Sequence, residues 1–231
     1  IESFTQAMRN TAKRVGLSCD YAREYLTDAP DYRSVTQSIF VELFKKGDIV
    51  EDLRPNIYDP VEGTTIADAE VERLSRKTRL VDVRWTCDDG TELVISTTRP
   101  ELICACGVVV VHPDDDRYQH LVGQRISLPL ATDGRATSVE VMQHPSVKSE
   151  FGTGVLMVCS FGDQNDVAVF RELGLTPFQA IDLDGKMTKV AGPLHGMTVL
   201  EARARAIELL ETDGRLVQSV EREPVSYTHL T

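Results

Sequence analysis

The sequence lacks any long hydrophobic run. Of its 231 residues, 42% are hydrophobic, but they fall in stretches far shorter than the roughly 18 apolar residues of a membrane span. The first residues also lack the charged, apolar and small-residue order of a secretory signal. We therefore expect a soluble protein that acts in the cytoplasm and does not contact a membrane.

Cysteine is scarce and odd in number. Three of the five cysteines lie within apolar runs, where a thiol packs as a small hydrophobic group. A structural zinc needs four ligands, and the one C-x-C pair has no second Cys or His pair at a suitable spacing. The sequence therefore predicts neither a disulfide framework nor a metal site. The cysteines are Cys19, Cys87, Cys104, Cys106 and Cys159.

Basic residues are outnumbered. The chain has 25 Lys and Arg against 36 Asp and Glu, which gives a net charge of −11. A protein that coats nucleic acid nonspecifically needs clustered cations to release counterions from the phosphates. The composition argues against a DNA-binding protein. It leaves room for a local contact with a polynucleotide that other parts of a larger protein hold.

The pattern along the chain is helical first and β-rich afterwards. Val35, Ile39, Leu43 and Phe44 share one face of a predicted helix that ends at Gly47. From about residue 55 the pattern changes, and we place a domain boundary between residues 55 and 65.

The middle of the chain predicts strands and a hairpin. Apolar and polar residues alternate on both sides of Asp88-Asp89-Gly90, which has the composition of a hairpin turn. The runs GVVVVHP and GVLMVCSFG predict buried strands. Helices follow at about 163 to 173 and 198 to 211, and Thr198 with Glu201 forms a capping box at the second. The fold class is therefore α+β.

Two local features could carry chemistry. Gly152-Thr153-Gly154 precedes a strand, where glycine lets a ligand or another backbone approach closely. Asp163 and Asp166 lie three residues apart at the opening of a helix, so both carboxylates can face one side. Helix capping alone would also explain two aspartates there, and a G-x-G is more often a plain turn.

Motifs for covalent catalysis and for nucleotide binding are missing. No G-x-S-x-G elbow and no G-x-x-x-x-G-K loop is present. The histidines have no identifiable nucleophile partner. What remains is the unusual segment Thr97-Thr98-Arg99-Pro100-Glu101, in which an apolar strand ends in two hydroxyls, an arginine and a rigid proline.

Several segments in order resemble one family. TTRPELICACGVVVVHPDDDRYQHLVGQRISLPL, EFGTGVLMVCSFGDQNDV, DLDGKM and GPLHGMTVLEARARAIELLETDGRLV resemble the editing domain inserted in class I valyl-tRNA synthetases, closest to the archaeal type. The resemblance implies a β-barrel-like editing domain with flanking helices at residues 59–224. It also implies a segment of a Rossmann-like catalytic domain at 1–58. The end of the chain, 225–231, does not continue the family and is expected to be foreign sequence.

The resemblance also implies a function, the hydrolysis of threonyl-tRNA(Val). A pocket that accepts valine cannot strongly reject threonine, and valyl enzymes are the standard example, with discrimination of about a hundredfold. A second site must remove the error. The expected partner is the acceptor end of tRNA(Val) carrying threonine, and the expected oligomeric state is a monomer.

The implied site is made of residues that match the family's motifs. The catalytic residues are Thr97, Thr98 and Asp166. Asp166 would bind the α-ammonium of the substrate and Asp163 the threonine hydroxyl. Arg99 would bind substrate beside the two threonines, and the Gly152, Thr153 and Gly154 backbone would approach it. Water would attack the ester without a metal or any other cofactor.

The chain departs from the family in several places. Bacterial valyl enzymes have lysine in place of Met157 and threonine in place of Cys159, and Leu102 replaces a threonine. A zinc knuckle of the family is absent at NIYDPVEGT. The ATP motifs are also absent, so ATP and Mg²⁺ are expected only for a full-length synthetase, of which this chain would be a fragment.

Three alternatives stay open. The domain could come from an isoleucyl or leucyl enzyme, although Asp163 and the TTRPEL segment favour the valyl type. It could be a stand-alone deacylase, which the attached catalytic-domain segment disfavours. It could also be a non-catalytic tRNA-contact module, which would need neither Asp163 nor Asp166.

Overall fold

The computed structural model describes residues 2–51, 55–71, 73–130 and 137–228. The chain divides into two compact units, Ile1–Arg54 and Pro55–Thr231. The division lies a few residues before the domain boundary predicted from the sequence. Within the described part of the chain, no helix is long and apolar enough to cross a membrane.

The first unit contains two helices, α1 (Glu2–Arg14) and α2 (Pro30–Lys46). Helix α2 begins with a proline, whose fixed φ and missing N–H suit the first helical position. It ends at Gly47, which has a left-handed φ of 81° and donates its N–H to the carbonyl of Phe44. The predicted helix is confirmed. Neither helix buries a residue, and most of the predicted apolar face of α2 is exposed.

The second unit contains a short ribbon and a larger sheet. Strands β1 (Ile57–Asp59) and β2 (Thr64–Ile66) form the antiparallel ribbon. Seven strands of the described chain form the larger sheet: β3 (Arg73–Cys87), β4 (Glu92–Thr97), β5 (Cys106–Val111), β6 (Arg125–Ser127), β7 (Ser138–Gln143), β8 (Val155–Cys159) and β9 (Leu216–Thr228).

The larger sheet is rolled into a barrel-like shape. Its strand order is β4-β3-β6-β7-β5-β8, and β9 pairs with β3 outside this path. Among the strand pairs of the described residues, β5–β7 alone is parallel. The two end strands, β4 and β8, contact each other. The curvature therefore brings the end of β4 next to the chain on both sides of β8.

The hairpin and the two later helices are confirmed. Strands β3 and β4 pair around a turn in which Gly90 adopts a φ of 87°. Helix α3 spans Gln164–Glu172 and helix α4 spans Val199–Thr212. The capping box at Thr198 is present, with hydrogen bonds in both directions to Glu201.

The core joins the barrel to α4. Val83, Ile95 and Val109 are fully buried inside the sheet. Helix α4 packs onto the same cluster through three fully buried residues, Ala202, Ala206 and Leu210. A smaller cluster places Val169 and Phe170 of α3 against β5 and β8. Both helices are thus fixed by apolar packing, which confirms the α+β class and the barrel-like core.

The predictions made for the two ends of the chain, residues 1–58 and 225–231, stay predictions. Residues 225–228 lie within β9 and residues 229–231 lie outside the described residues. Strand pairing does not reveal the origin of a sequence, so the foreign tail at 225–231 remains a prediction. The same holds for the Rossmann-like assignment of residues 1–58.

Candidate active site

The segment Thr97-Thr98-Arg99 forms the turn at the end of β4. Thr97 is buried, and its Oγ1 accepts a hydrogen bond from the backbone N–H of Arg99 at 3.0 Å. A 3-10 helix, Pro100–Ala105, begins directly afterwards, because proline has no N–H to continue the strand ladder. Thr98 is half-buried. The threonine-rich segment is therefore a tight, internally bonded turn whose second hydroxyl lies nearer the surface.

Arg99 connects this turn to the segment that follows β8. Its Nη1 donates to the carbonyl oxygen of Gly162 at 2.8 Å, and its Nε donates to Oε1 of Glu101 at 3.2 Å. These bonds hold the end of β4 beside the start of α3. Arg99 thus brings together two of the segments that the sequence assigned to one site.

Asp163 and Asp166 hold different positions at the start of α3. Asp163 is the N-cap, and its Oδ1 accepts the backbone N–H of Asp166 at 2.8 Å. The carboxylate of Asp166 turns back toward the sheet, where Oδ2 accepts the backbone N–H of Cys159 at 3.2 Å. The capping interpretation therefore applies to Asp163, which is exposed. It does not account for the half-buried Asp166 carboxylate and its contact with Cys159.

Gly162 is placed directly against Asp166. A Cβ atom at this position would overlap Oδ2 of Asp166 and would also crowd Cys159. The backbone of Gly162 thus packs against one side of the Asp166 carboxylate, while its carbonyl accepts from Arg99 on the other. A larger residue here would force the Asp166 carboxylate or the backbone of this segment to shift.

The Asp166 carboxyl has an unusual affinity for its proton. Burial is the main cause that raises the pKa of Asp166 from 3.8 to about 7, and the negative charge of Asp163 adds to it. The N–H of Cys159 and the charge of Arg99 act in the opposite direction. A cationic group that enters the site would favour the charged form of this carboxyl and lower its pKa, because opposite charges attract strongly where water is partly excluded.

The glycine loop approaches the same strand end from the other side. Gly152 has a φ of 59°, and a Cβ atom there would lie 2.9 Å from the Ser96 side chain of β4. Gly154 has a φ of 80° and packs against Arg117 and the Ser149 carbonyl. The loop backbone is thus held against the residue that precedes Thr97. The side chains around it leave no space for larger residues.

Thr153 contributes a buried hydroxyl to this loop. Its carbonyl accepts a hydrogen bond from the Tyr118 hydroxyl at 2.7 Å, which fixes the backbone. Its Oγ1 is inaccessible to solvent and has no hydrogen-bond partner among the described residues. The structure therefore places Gly152 against Ser96, the residue before Thr97, and Asp166 near Arg99, with Thr98 in the turn between these contacts.

A separate open cleft of about 400 Å³ lies beside the glycine loop. It is lined by His112, Val147, Lys148, Ser149, Glu150 and Phe151. None of the described residues predicted to form the site lines this cleft. Within the described residues, no group of three or more His, Cys, Asp or Glu side chains could hold a metal ion.

The three family departures near the site are core residues. Leu102, Met157 and Cys159 are buried and belong to the main apolar cluster. The Cys159 thiol donates to the Leu102 carbonyl at 3.3 Å. Hydrogen bonding to Cys106 and burial raise the pKa of the Cys159 thiol. Cys159 therefore stays a thiol and supports Asp166 through its backbone.

Two residues at the site were missed by sequence reasoning. Glu101 is fully buried and receives two hydrogen bonds from Arg203 of α4, at 2.8 and 3.0 Å. The signal for Glu101 was its place directly after Arg99 and Pro100. Arg203 lies 102 residues further along the chain, and nothing local distinguishes it from the other arginine of the same helix, Arg205.

Comparison with known proteins gives a consistent family match. The model for class I tRNA synthetases (I, L, M and V) matches residues 1–204. The valine–tRNA ligase of Aeropyrum pernix is 43% identical over 207 residues, which are 89% of this chain and 24% of that protein. The valine–tRNA ligase of Archaeoglobus fulgidus is 42% identical over 214 residues, 93% of this chain and 24% of that protein. The chain thus spans about a quarter of these relatives.

Two solved structures are similar to the chain at low identity. One is the ternary complex of Agrobacterium radiobacter K84 agnB2 LeuRS-tRNA-LeuAMS, with a TM-score of 0.49 and 16% identity, covering 98% of this chain and 37% of that one. The other is GlLeuRS-CP1, with a TM-score of 0.48 and 11% identity, covering 62% of this chain and 99% of that one.

Proposed function

Because this chain belongs to the class I tRNA synthetases of the I, L, M and V group, we propose that residues 59–224 hydrolyse the ester bond of threonyl-tRNA(Val). The resemblance to archaeal valyl-tRNA synthetases is confirmed by the valine–tRNA ligases that match most of the chain. The observation that carries the proposal is the half-buried Asp166 carboxylate, which lies between Cys159 and Gly162 at the point where Arg99 joins the two segments.

In this proposal Asp166 binds the α-ammonium of the bound amino acid. A buried carboxylate whose pKa is raised to about 7 becomes fully charged when a cation binds beside it. An ammonium group that approaches Asp166 therefore gains a strong ion pair in a partly dry site. This contact orients the amino acid and directs its ester bond toward Thr97 and Thr98.

Asp163 and Thr98 provide polar partners for the rest of the substrate. Asp163 is exposed and uses Oδ1 for its cap, so its second oxygen can accept the threonine hydroxyl. Valine has no hydroxyl to donate to these groups, and its side chain would exclude water from them without replacing the hydrogen bonds of that water. The site thereby favours threonine, as a second selection step requires.

Hydrolysis then depends on positioning. Gly152 and Gly154 allow the loop to pack closely against Ser96 and Arg117, and the loop held in this way would present its backbone to the ribose of the terminal nucleotide. Water attacks the ester carbonyl beside Thr97 and Thr98, without a cofactor and without a dedicated side-chain base. Fixed dipoles and a fixed substrate supply the rate enhancement.

The activity of the whole protein is a further proposal. A full-length relative of this chain would charge tRNA(Val) with valine in the cytoplasm as a monomer, and it would need ATP and Mg²⁺ for that reaction. The described chain would supply the correction step, in which the threonine-charged acceptor end of tRNA(Val) enters the site.

The test is hydrolysis of threonyl-tRNA(Val) and valyl-tRNA(Val) by the protein and by Asp166→Ala. We expect the wild type to release threonine much faster than valine and Asp166→Ala to lose threonine release. Asp213→Ala, which removes an exposed carboxylate at the end of α4, serves as the matched control and should keep full activity. Equal hydrolysis by wild type and Asp166→Ala would contradict the proposal. Preferred release of valine would favour an isoleucyl-type editing domain.

A further inference from the structure

Glu101 is a charged residue in a fully buried position. Its side chain has 0% of its surface exposed, and it follows the threonine turn by only two residues beyond Arg99. An unpaired carboxylate in such a place would cost several kcal/mol in desolvation. Arg203 of α4 offsets this cost with a two-point contact, Nη2 to Oε1 at 2.8 Å and Nε to Oε2 at 3.0 Å.

The same carboxylate also holds Arg99. Its Oε1 accepts from Nε of Arg99 at 3.2 Å, while Nη1 of Arg99 reaches the Gly162 carbonyl at 2.8 Å. Gly162 in turn packs against the Asp166 carboxylate. A continuous series of contacts therefore runs from α4 through Glu101 and Arg99 to the carboxylate that is proposed to bind the ammonium.

Arg203 is not needed to dock α4. The helix already buries Ala202, Ala206 and Leu210 completely in the main cluster, and it begins with a full capping box. Replacement of a whole buried ion pair by apolar residues is often tolerated, whereas removal of one partner alone leaves a buried charge uncompensated. The planar, two-point geometry is instead suited to orienting a carboxylate.

We propose that Arg203 and Glu101 are positioning residues of the hydrolytic site, which act through Arg99 to set the place of Asp166 relative to the Thr97–Arg99 turn. This inference rests on the proposed function. It assigns a role in the site to helix α4, whose Arg203 follows Glu101 by 102 residues in the sequence. When Arg203 is lost, Arg99 is the remaining cation that the structure places on Glu101. The Glu101 carboxylate then draws Arg99 away from Gly162.

The displacement of Arg99 would change the pKa of Asp166. The groups that face Asp166 are the Asp163 carboxylate, the Arg99 guanidinium and the Cys159 thiol with its backbone N–H. Arg99 is the one cation among them, and its charge lowers the pKa of Asp166. When Arg99 moves away, the pKa of Asp166 rises further, and the carboxylate charges only at higher pH.

The experiment compares Arg203→Met, Arg203→Lys and Arg205→Met. Arg205 lies on the same helix and pairs with exposed Glu208 at 2.8 Å, so Arg205→Met is the matched control. For threonyl-tRNA(Val) hydrolysis we expect Arg203→Met to lower kcat by at least about tenfold with a small change in KM, because misplacement of a positioned group slows the chemical step. Its pH profile should shift to higher pH. Arg203→Lys should recover part of kcat, and Arg205→Met should match the wild type.

A second measurement needs no substrate turnover. NMR titration of the Asp166 carboxyl in wild type and Arg203→Met reports its pKa directly, and we expect a higher value in the variant. This readout separates the two ideas, because a shifted titration with an inactive wild type would show that Arg203 positions the Asp166 carboxylate and would refute the proposed hydrolytic function. A folded Arg203→Met protein with an unchanged Asp166 titration and unchanged kcat would overturn the inference.

Discussion

Oδ1 of Asp163 accepts the backbone N–H of Asp166 at 2.8 Å, while the Asp166 carboxylate points away from the helix to the N–H of Cys159. Two carboxylates three residues apart therefore have separate structural partners. The first stabilises the start of α3 and the second lies buried at the end of β8. The helix cap Asp163 and the proposed binding group Asp166 lie in the same turn, and substitutions at each position can distinguish their roles.

Asp163→Asn and Asp163→Ala distinguish capping from recognition. Asparagine caps a helix about as well as aspartate, whereas alanine costs about 1 kcal/mol. We expect Asp163→Ala to lower the melting temperature and Asp163→Asn to preserve it. Both should reduce the preference for threonyl over valyl ester, because both remove the negative partner of the hydroxyl. Thermal unfolding and the two hydrolysis rates are the measurements. An Asp163→Asn variant with unchanged preference would restrict Asp163 to its cap.

The rate of editing should depend on pH near neutrality. The pKa of Asp166 in the free protein is raised to about 7 by burial and by Asp163, so the carboxyl is neutral below that pH and charged above it. We expect kcat/KM for threonyl-tRNA(Val) to rise with pH through about 7, since kcat/KM reports groups of the free enzyme. It should fall again where the substrate ammonium loses its proton.

Asp163 provides the control for this pH profile. Its negative charge is the second cause of the raised pKa of Asp166. Asp163→Asn should therefore move the rising limb to lower pH. A profile that is flat between pH 5 and pH 7, or one that moves the other way in Asp163→Asn, would contradict the assignment of this limb to Asp166.

Removal of the Asp166 charge should stabilise the protein while it destroys activity. Because the pKa of Asp166 is raised from 3.8 to about 7, the native state holds this proton more tightly than the unfolded state. The resulting stability is fully present below the unfolded pKa and is lost as the pH rises through about 7. We expect Asp166→Asn to increase the free energy of unfolding by at most roughly 4 kcal/mol above pH 7, since each unit of raised pKa corresponds to about 1.4 kcal/mol, and to have little effect near pH 4.

Asp115→Asn is the matched control with the opposite sign. Its hydrogen bonds with Arg117 lower the pKa of Asp115, so its charge stabilises the native state above the unfolded pKa, and this contribution is lost as the pH falls through the folded pKa. We expect Asp115→Asn to lower the melting temperature at pH 8, where Asp166→Asn raises it. Chemical denaturation of the three proteins at pH 4 and pH 8 tests the pair. A destabilised Asp166→Asn at pH 8 would contradict the cost assigned to its charge.

Local chemistry explains what the sequence predicted correctly. The hairpin of β3 and β4 depends on Gly90 at its turn, and α4 depends on the capping box of Thr198 and Glu201, all within a few residues of each other. The alternating and apolar runs likewise predicted the buried strands β5 and β8. The carboxylates, the glycine loop and the threonine turn were assigned to one site by resemblance, and the contacts of Arg99 and Gly152 bring their segments together.

Long-range pairing explains what sequence reasoning missed. Strand β9 pairs with β3, more than a hundred residues earlier, and its polar composition gives little strand signal. The Glu101 pair with Arg203 has the same character, because a buried charge is unexpected from composition and its partner is fixed only by the docking of α4. Gly162 is a similar case, since its packing against Asp166 depends on a side-chain direction that sequence does not reveal.

Gly162→Ala tests the packing that holds Asp166 in place. The added Cβ would overlap Oδ2 of Asp166, so either the carboxylate or the segment after β8 must move. Gly162 is not one of the glycines with a positive φ. The free-energy cost of the substitution therefore comes from this contact and not from backbone strain. Overpacking of this kind costs about 1–3 kcal/mol. We expect Gly162→Ala to lower both stability and threonyl-tRNA(Val) hydrolysis.

The double variant Gly162→Ala with Asp166→Ala makes this prediction specific. Truncation of Asp166 removes the atom that the new methyl group would meet, so most of the stability lost in Gly162→Ala should return. The difference between the double variant and the sum of the single ones measures the contact, as in any double-mutant cycle. Urea unfolding of the four proteins gives these free energies. Additive losses would show that Gly162 packs against Cys159 instead, and that Asp166 is free to move within the site.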